Sequence, residues 1–426
     1  MGLGQFQTFA ALRHQNFRRF YTGQTISVMG SWMQSVALSW LVLVLTDSSF
    51  YLGLMSALQT LPILIFSFLG GVVADQARKH RLLYLTQGGM MVVAVILGTL
   101  VATNLVNIWL LCGLVFLAGT ALAFDIPVRQ AFIVDLVGKN DLPNAIALNS
   151  TMFNGTRFLG PAVAGLLIAS VGLANCFFIN ALSFLAVLLA LFWIELPPPE
   201  DIPRISVREA LGELRDFVKQ NQNLKLIMIL MTAVSVLGLS YNVLVPILAR
   251  DVLGVGPEGF GLLMASSGLG AFLGGLALAR RLTRRPPMPS FVGGLALFLA
   301  GLLALSLCRN YYLALGAMAL VGLGTVTQLS TGNSLLQLNV PDQMRGRIMS
   351  LFSLIIIGSV PFGSLLYGTV ATFLGPSLSL TLGSLSAALV SGYILLRYPG
   401  LWQMNFQGLE SPPTTPLPPR VTPPLG

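Results

Sequence analysis

The stretch Asn149–Gly165, NSTMFNGTRFLGPAVAG, decides how the rest of the chain is read. It lies in an apolar segment over residues 145–171. At about 1.5 Å of rise per residue, such a segment crosses a hydrocarbon layer about 30 Å thick. Arg157 stands near its middle, followed by Gly160-Pro161 and Gly165. A guanidinium at that depth is costly unless it faces a wet cavity or a partner, which makes it a candidate binding group by default. The competing role is an arginine that binds backbone carbonyls and pins neighbouring helices, and the sequence leaves both open.

Working outward, the whole chain has this character. Of 426 residues, 55% are hydrophobic and 9% charged, whereas a soluble domain carries about 25% charged residues. The chain reads as an all-α polytopic membrane protein. Apolar segments recur at 20–45, 50–74, 82–103, 107–124, 145–171, 174–194, 225–248, 259–280, 290–308, 311–331, 348–373 and 376–396, which predicts twelve transmembrane helices. The first is too long and too polar, with Gln24 and Gln34, for a cleaved signal peptide.

All 24 Lys and Arg residues except Arg157, Arg250 and Arg309 fall on one side of this arrangement. The positive-inside rule then puts both termini in the cytoplasm. The net charge of +9 is therefore topological and gives no footprint for nucleic acid. Cys112, Cys176 and Cys308 lie in apolar segments without metal-ligand spacing, and His14 and His80 fall in separate basic loops, so no metal site is expected.

The predicted organisation is a cytoplasmic N-terminal segment (1–19), a six-helix bundle (20–194), a cytoplasmic linker (195–224), a second six-helix bundle (225–396) and a Pro-rich disordered tail (397–426). In the linker, Pro197-Pro198-Pro199 ends a helix, and Ser206 with Glu209 has capping-box spacing. Val207, Ala210, Leu211, Leu214, Phe217 and Val218 then describe an amphipathic helix on the membrane surface. The two bundles look like repeats: Asp141 precedes Pro161 by 20 residues, and Asp342 precedes Pro361 by 19. Such repeats flank a central site.

After the second helix comes Gly70-Gly71-Val-Val-Ala-Asp75-Gln76-Ala77-Arg78-Lys79-His80-Arg81. Glycines allow close helix approach, and an acid beside a basic cluster can form contacts that break and re-form. This pattern of Gly71, Asp75 and Lys79 to Arg81 resembles the signature of the major facilitator superfamily, with Gln76 where the family commonly has arginine. The run FDIPVRQAFIVDLVGKNDLPNAIALNS from Phe124, and PDQMRGRIMS over 341–350, are similar to the branch containing enterobactin-type siderophore exporters and lysophospholipid transporters. Gly160, Pro161 and Gly165 resemble, in part, a helix-five motif associated with antiport and export.

The resemblance implies a secondary exporter in a bacterial cytoplasmic membrane, acting as a monomer by alternating access, with gating at Gly71, Asp75, Arg78, Lys79, Arg81, Asp125, Arg129, Arg345 and Arg347. The cargo expected is a small amphipathic or anionic molecule, siderophore-like or a drug. Inward movement of lysophospholipid or a nutrient is the alternative. Polar residues at usable depth for a midplane site are Gln34, Gln59, Asn154, Arg157, Tyr241, Asn242 and Gln328. No carboxylate falls in mid-helix on these limits; Asp47, Asp75 and Asp125 lie near ends. Protons are a candidate coupling ion, with Asp125 beside Arg129 as the group that titrates. No Walker loop is present, and no nucleophile–base set or cofactor motif is found, so neither an ATP-driven pump nor an enzyme is expected.

Overall fold

The computed structural model describes residues 9–76, 78–194, 207–281 and 287–403. Side chains of 67–76, 207–211, 279–281, 342, 343 and 403 are also outside the description. The proline-led part of the linker, the tail beyond 403, the side chain of Asp75 and the basic stretch at 282–286 therefore lie outside the described residues.

The first bundle contains α1 (Gln15–Thr46), α2 (Ser49–Gln76), α3 (Lys79–Ala102), α4 (Ile108–Val171) and α5 (Leu173–Phe192). The short α6 (Val207–Gln220) leads to α7 (Gln222–Leu237), a one-turn α8 (Val245–Ile247), α9 (Pro257–Arg281), α10 (Pro287–Leu307), α11 (Tyr311–Leu338), α12 (Asp342–Gly358) and α13 (Val360–Arg397). Among the described residues, ten helical stretches are long and apolar enough to cross a membrane. Outward-facing Leu85, Phe192, Phe373 and Leu396 leave an apolar exterior of the kind that suits lipid.

Helix ends follow local chemistry. The Asn107 side chain accepts from the Leu110 amide at 2.9 Å and starts α4, and Asn310 accepts from the Tyr312 amide at 2.9 Å and starts α11. Asp47 ends α1 in the left-handed conformation. Two long helices are broken by glycine: Gly138 (φ 69°) divides α4 and Gly375 (φ 78°) divides α13. Only glycine adopts these angles without strain.

The predicted loop over 125–144 is thus corrected. Residues 108–137 are helical, a single glycine turns the chain, and helix resumes at 139. Asp125 consequently sits inside a helix and is wholly buried, not near an end. The unbroken helix expected over 225–248 is also corrected. It stops at Leu237 and passes through a 3-10 stretch (Leu239–Leu244), α8 and a wide π-type turn (Leu248–Val252). At Gly238 an added Cβ would lie 2.7 Å from the Phe298 ring, so α10 presses on the break. Irregular backbone at membrane depth is tolerated where it lines a cavity.

In the first bundle α5 packs on α1 and α3, and α4 on α1, α2 and α3; in the second α11 packs on α9 and α10, and α13 on α7 and α10. The bundles meet where α4 packs on α9 and α2 on α13. One end of the molecule carries the short connections at Asp47–Ser48, Gly172 and Arg309–Asn310, and is called the short-loop end; the other is the basic end. Leu214, Phe217 and Val218 pack against the main core, and Glu213 pairs with Arg347 of α12.

Candidate functional site

A cavity of about 110 Å³ lies between the bundles. Trp32, Ser35 and Ser39 come from α1, Met55, Ser56 and Gln59 from α2, Asn242 from the irregular stretch, and Phe260 and Met264 from α9. The break after Leu237 brings Asn242 to this wall. Tyr241, one residue earlier, is 2% exposed, with its hydroxyl 3.3 Å from that of Ser267 on α9.

Arg157 stands beside this group. Its backbone carbonyl would be 2.9 Å from a Cβ added at Gly268 of α9, so it lies on the contact between bundles. Its charge is close enough to act on the Tyr241 phenol. Among the described residues the half-buried Arg157 side chain makes no hydrogen bond or ion pair. A cation at the bundle interface, about 20 Å along α4 from the short-loop end, is thereby left for a ligand or water.

The other predicted polar residues divide. Gln59 and Asn242 share the cavity wall. Gln34 accepts from Asn180 Nδ2 at 2.7 Å, which ties α1 to α5 within the first bundle. Asn154 returns its amide to the Ser150 carbonyl of its own helix at 2.9 Å. Gln328 is 1% exposed in the packing of α11, with its Nε2 unpartnered among the described residues. In the helix-five motif, an added Cβ at Gly160 would meet Trp32 of α1 at 2.6 Å, whereas one at Gly165 would meet the Pro257 carbonyl of α9 at 2.8 Å. The first packs the bundle internally, and the second packs it against its partner.

At the basic end, Lys79 pairs with Asp135 at 2.8 Å and His80 bonds the Leu191 carbonyl at 2.8 Å, both within the first bundle. Arg78 and Arg81 are exposed. Arg345 and Arg347 share α12, where Arg347 holds Glu213. Asp125 and Arg129 are one turn apart, 3.7 Å between Oδ2 and Nε, inside the bundle.

Contacts that sequence reasoning missed lie toward the short-loop end. Arg250 pairs with Asp47 across the bundles, and Ser56 and Ser364 hydroxyls are 2.9 Å apart. Trp40 stacks on Phe260 at 6.0 Å. Gly53 packs on Ser364 and Gly368, and Gly165 on Gly261. The available signal was that Asp47 and Arg250, with Asp251 and Arg309, are among the few charges in the connections at the short-loop end.

A model of the family described as transmembrane secretion effector matches residues 6–419. The staphyloferrin A transporter of Staphylococcus aureus is 29% identical over 366 residues, covering 84% of this chain and 89% of that protein. The enterobactin exporter of Shigella flexneri is 26% identical over 394 residues, covering 90% and 92%. Among solved structures, an inward-facing, unoccupied bacterial homolog of the human lysosomal transporter Spinster superposes with a TM-score of 0.74 at 14% identity, covering 95% of this chain and 99% of that one. That likeness is one of fold.

Proposed function

Because the chain belongs to the transmembrane secretion effector family of major facilitator transporters, we propose that this transporter exports a small anionic, siderophore-like molecule by alternating access. The observation that carries the reading is Arg157, a cation without a partner among the described residues at the bundle interface, near a cavity with hydroxyl, amide and aromatic walls. Carboxylate or hydroxamate oxygens would satisfy the guanidinium, and Trp32 and Phe260 would cover the cargo's apolar parts. Two relatives whose names refer to siderophores support the cargo class.

The topology we infer has twelve crossings, with α4 and α13 each crossing twice about Gly138 and Gly375. The basic end lies in the cytoplasm. The cross-bundle polar contacts Asp47–Arg250 and Ser56–Ser364 then make this a conformation sealed on the outer side. A cavity of about 110 Å³ is smaller than the roughly 300 Å³ or more of ligand sites, so the bundles must part to admit cargo.

The test is mass spectrometry of medium and cell extract from a deletion strain and a complemented strain, grown with and without iron. An anionic compound retained in deletion cells and missing from their medium is the expected result. A compound left in the medium and missing from the cells would reverse the direction. Arg157→Gln should insert normally yet fail to restore secretion; full restoration would remove Arg157 from the site.

A further inference from the structure

Two hydroxyls meet where the cavity wall and the seam between the bundles are one surface. Ser56 of α2 lines the cavity, and its Oγ is 2.9 Å from the Oγ of Ser364 on α13. Ser364 is wholly buried and does not line the cavity. Among the described residues neither hydroxyl has a second partner. A helical serine can return its proton to the carbonyl one turn back, as Ser39 in the same wall does to Ser35 at 3.0 Å. Ser364 does not, so its proton has one acceptor in reach, Ser56 Oγ. The reverse donation would strand a buried donor, which is the costlier arrangement. With Ser364 donating, the proton of Ser56 is left for the cavity. A hydroxyl that already accepts one hydrogen bond donates the next more strongly. Phe260 is shared in the same way, lining the cavity while it stacks on Trp40 of the other bundle.

We propose that Ser56 makes this transporter bind cargo more tightly when the short-loop end is sealed than when it is open, with Ser364 as the positioning residue. The chain runs from the Ser364 hydroxyl to Ser56 Oγ, and from the Ser56 hydroxyl to an acceptor oxygen of the cargo. A carboxylate or hydroxamate oxygen takes such a donor, so the inference deepens the export reading above and rests on it. Parting α2 from α13 carries Ser364 away, and Ser56 loses the partner that holds its proton toward the cavity. Cargo loaded from the basic end is then held in the sealed state and let go in the open one, the order that export needs. By linkage, cargo tightens the seam by the same factor that the seam tightens cargo, here about 10-fold.

The experiment is a double-mutant cycle on the full-length protein in nanodiscs, reading the Kd of staphyloferrin A by calorimetry. Ser56→Ala and Ser364→Ala should each weaken binding about 10-fold, and the double variant no further, because Ser364 acts only through Ser56. Ser364→Cys nearly keeps the volume but donates weakly, and it should fall close to Ser364→Ala. An effect of Ser364→Ala that persists in the Ser56→Ala background would overturn the proposal and make Ser364 a packing residue. Unchanged affinity in Ser364→Ala would overturn it as well.

Reciprocity is read from spin-label distances across the short-loop end. Staphyloferrin A should raise the sealed fraction of wild type and leave that of Ser56→Ala unchanged; equal shifts in both would overturn the proposal. If staphyloferrin A does not bind wild type, the siderophore reading falls, and the hydroxyl pair is tested without cargo. Ser364→Ala should then lower the sealed fraction on its own but not in the Ser56→Ala background. The same drop in both would overturn the pairing itself.

Discussion

Gly53 on α2 faces Ser364 and Gly368 on α13, at the seam where the bundles meet. A Cβ added there would sit 2.4 Å from the Ser364 carbonyl oxygen and 3.1 Å from the Gly368 Cα, where ordinary contact begins at 3.4 Å. Both neighbours are backbone, so Gly53→Ala forces α2 and α13 apart by about 1 Å. Overpacking of this kind costs about 1–3 kcal/mol, and the cost falls only on the conformation in which the seam is closed. The gain in helix propensity from alanine applies to both conformations and cancels. The closed population should therefore fall relative to the open one by about 5- to 150-fold. The assay is a distance distribution between spin labels at Asn104 and Tyr312, exposed on either bundle at the short-loop end, with the three native cysteines replaced. Gly113→Ala is the control, since a Cβ there meets nothing within 4 Å. A Gly53→Ala distribution matching that of Gly113→Ala would refute the claim that this contact seals the seam.

Arg250→Gln removes the cross-bundle pair with Asp47. Because Asp47 is largely exposed, thermal stability should change little, while the short-loop end opens faster in stopped-flow fluorescence and high salt reproduces the effect in wild type. Asn180→Leu strands the Oε1 of Gln34 and removes the acceptor at 3.0 Å from the Ser183 hydroxyl. It should cost about 1–3 kcal/mol, seen as a lower unfolding midpoint without a change in cargo selectivity.

The membrane class, the apolar segments and the charge asymmetry were legible in the sequence because each depends on solvent alone. Lipid demands long apolar helices whatever their neighbours are, and the single charge at Arg157 stands out from its own segment. The family resemblance was legible for the same local reason, carried by Gly71, Asp75 and the run from Phe124.

Tertiary structure decided what required two segments at once. The depth of Asp125 depended on where α4 turns, which Gly138 sets by adopting a positive φ. Its amide partner, Gln87, lies 38 residues away on α3, and no spacing rule connects them. Gln34 and Gln59 look alike in sequence, yet one is satisfied by Asn180 inside a bundle and the other lines the cavity. The pair Asp47–Arg250 spans 203 residues. A side chain's type states what it can donate or accept; only packing states which partner reaches it and which atom is left without one.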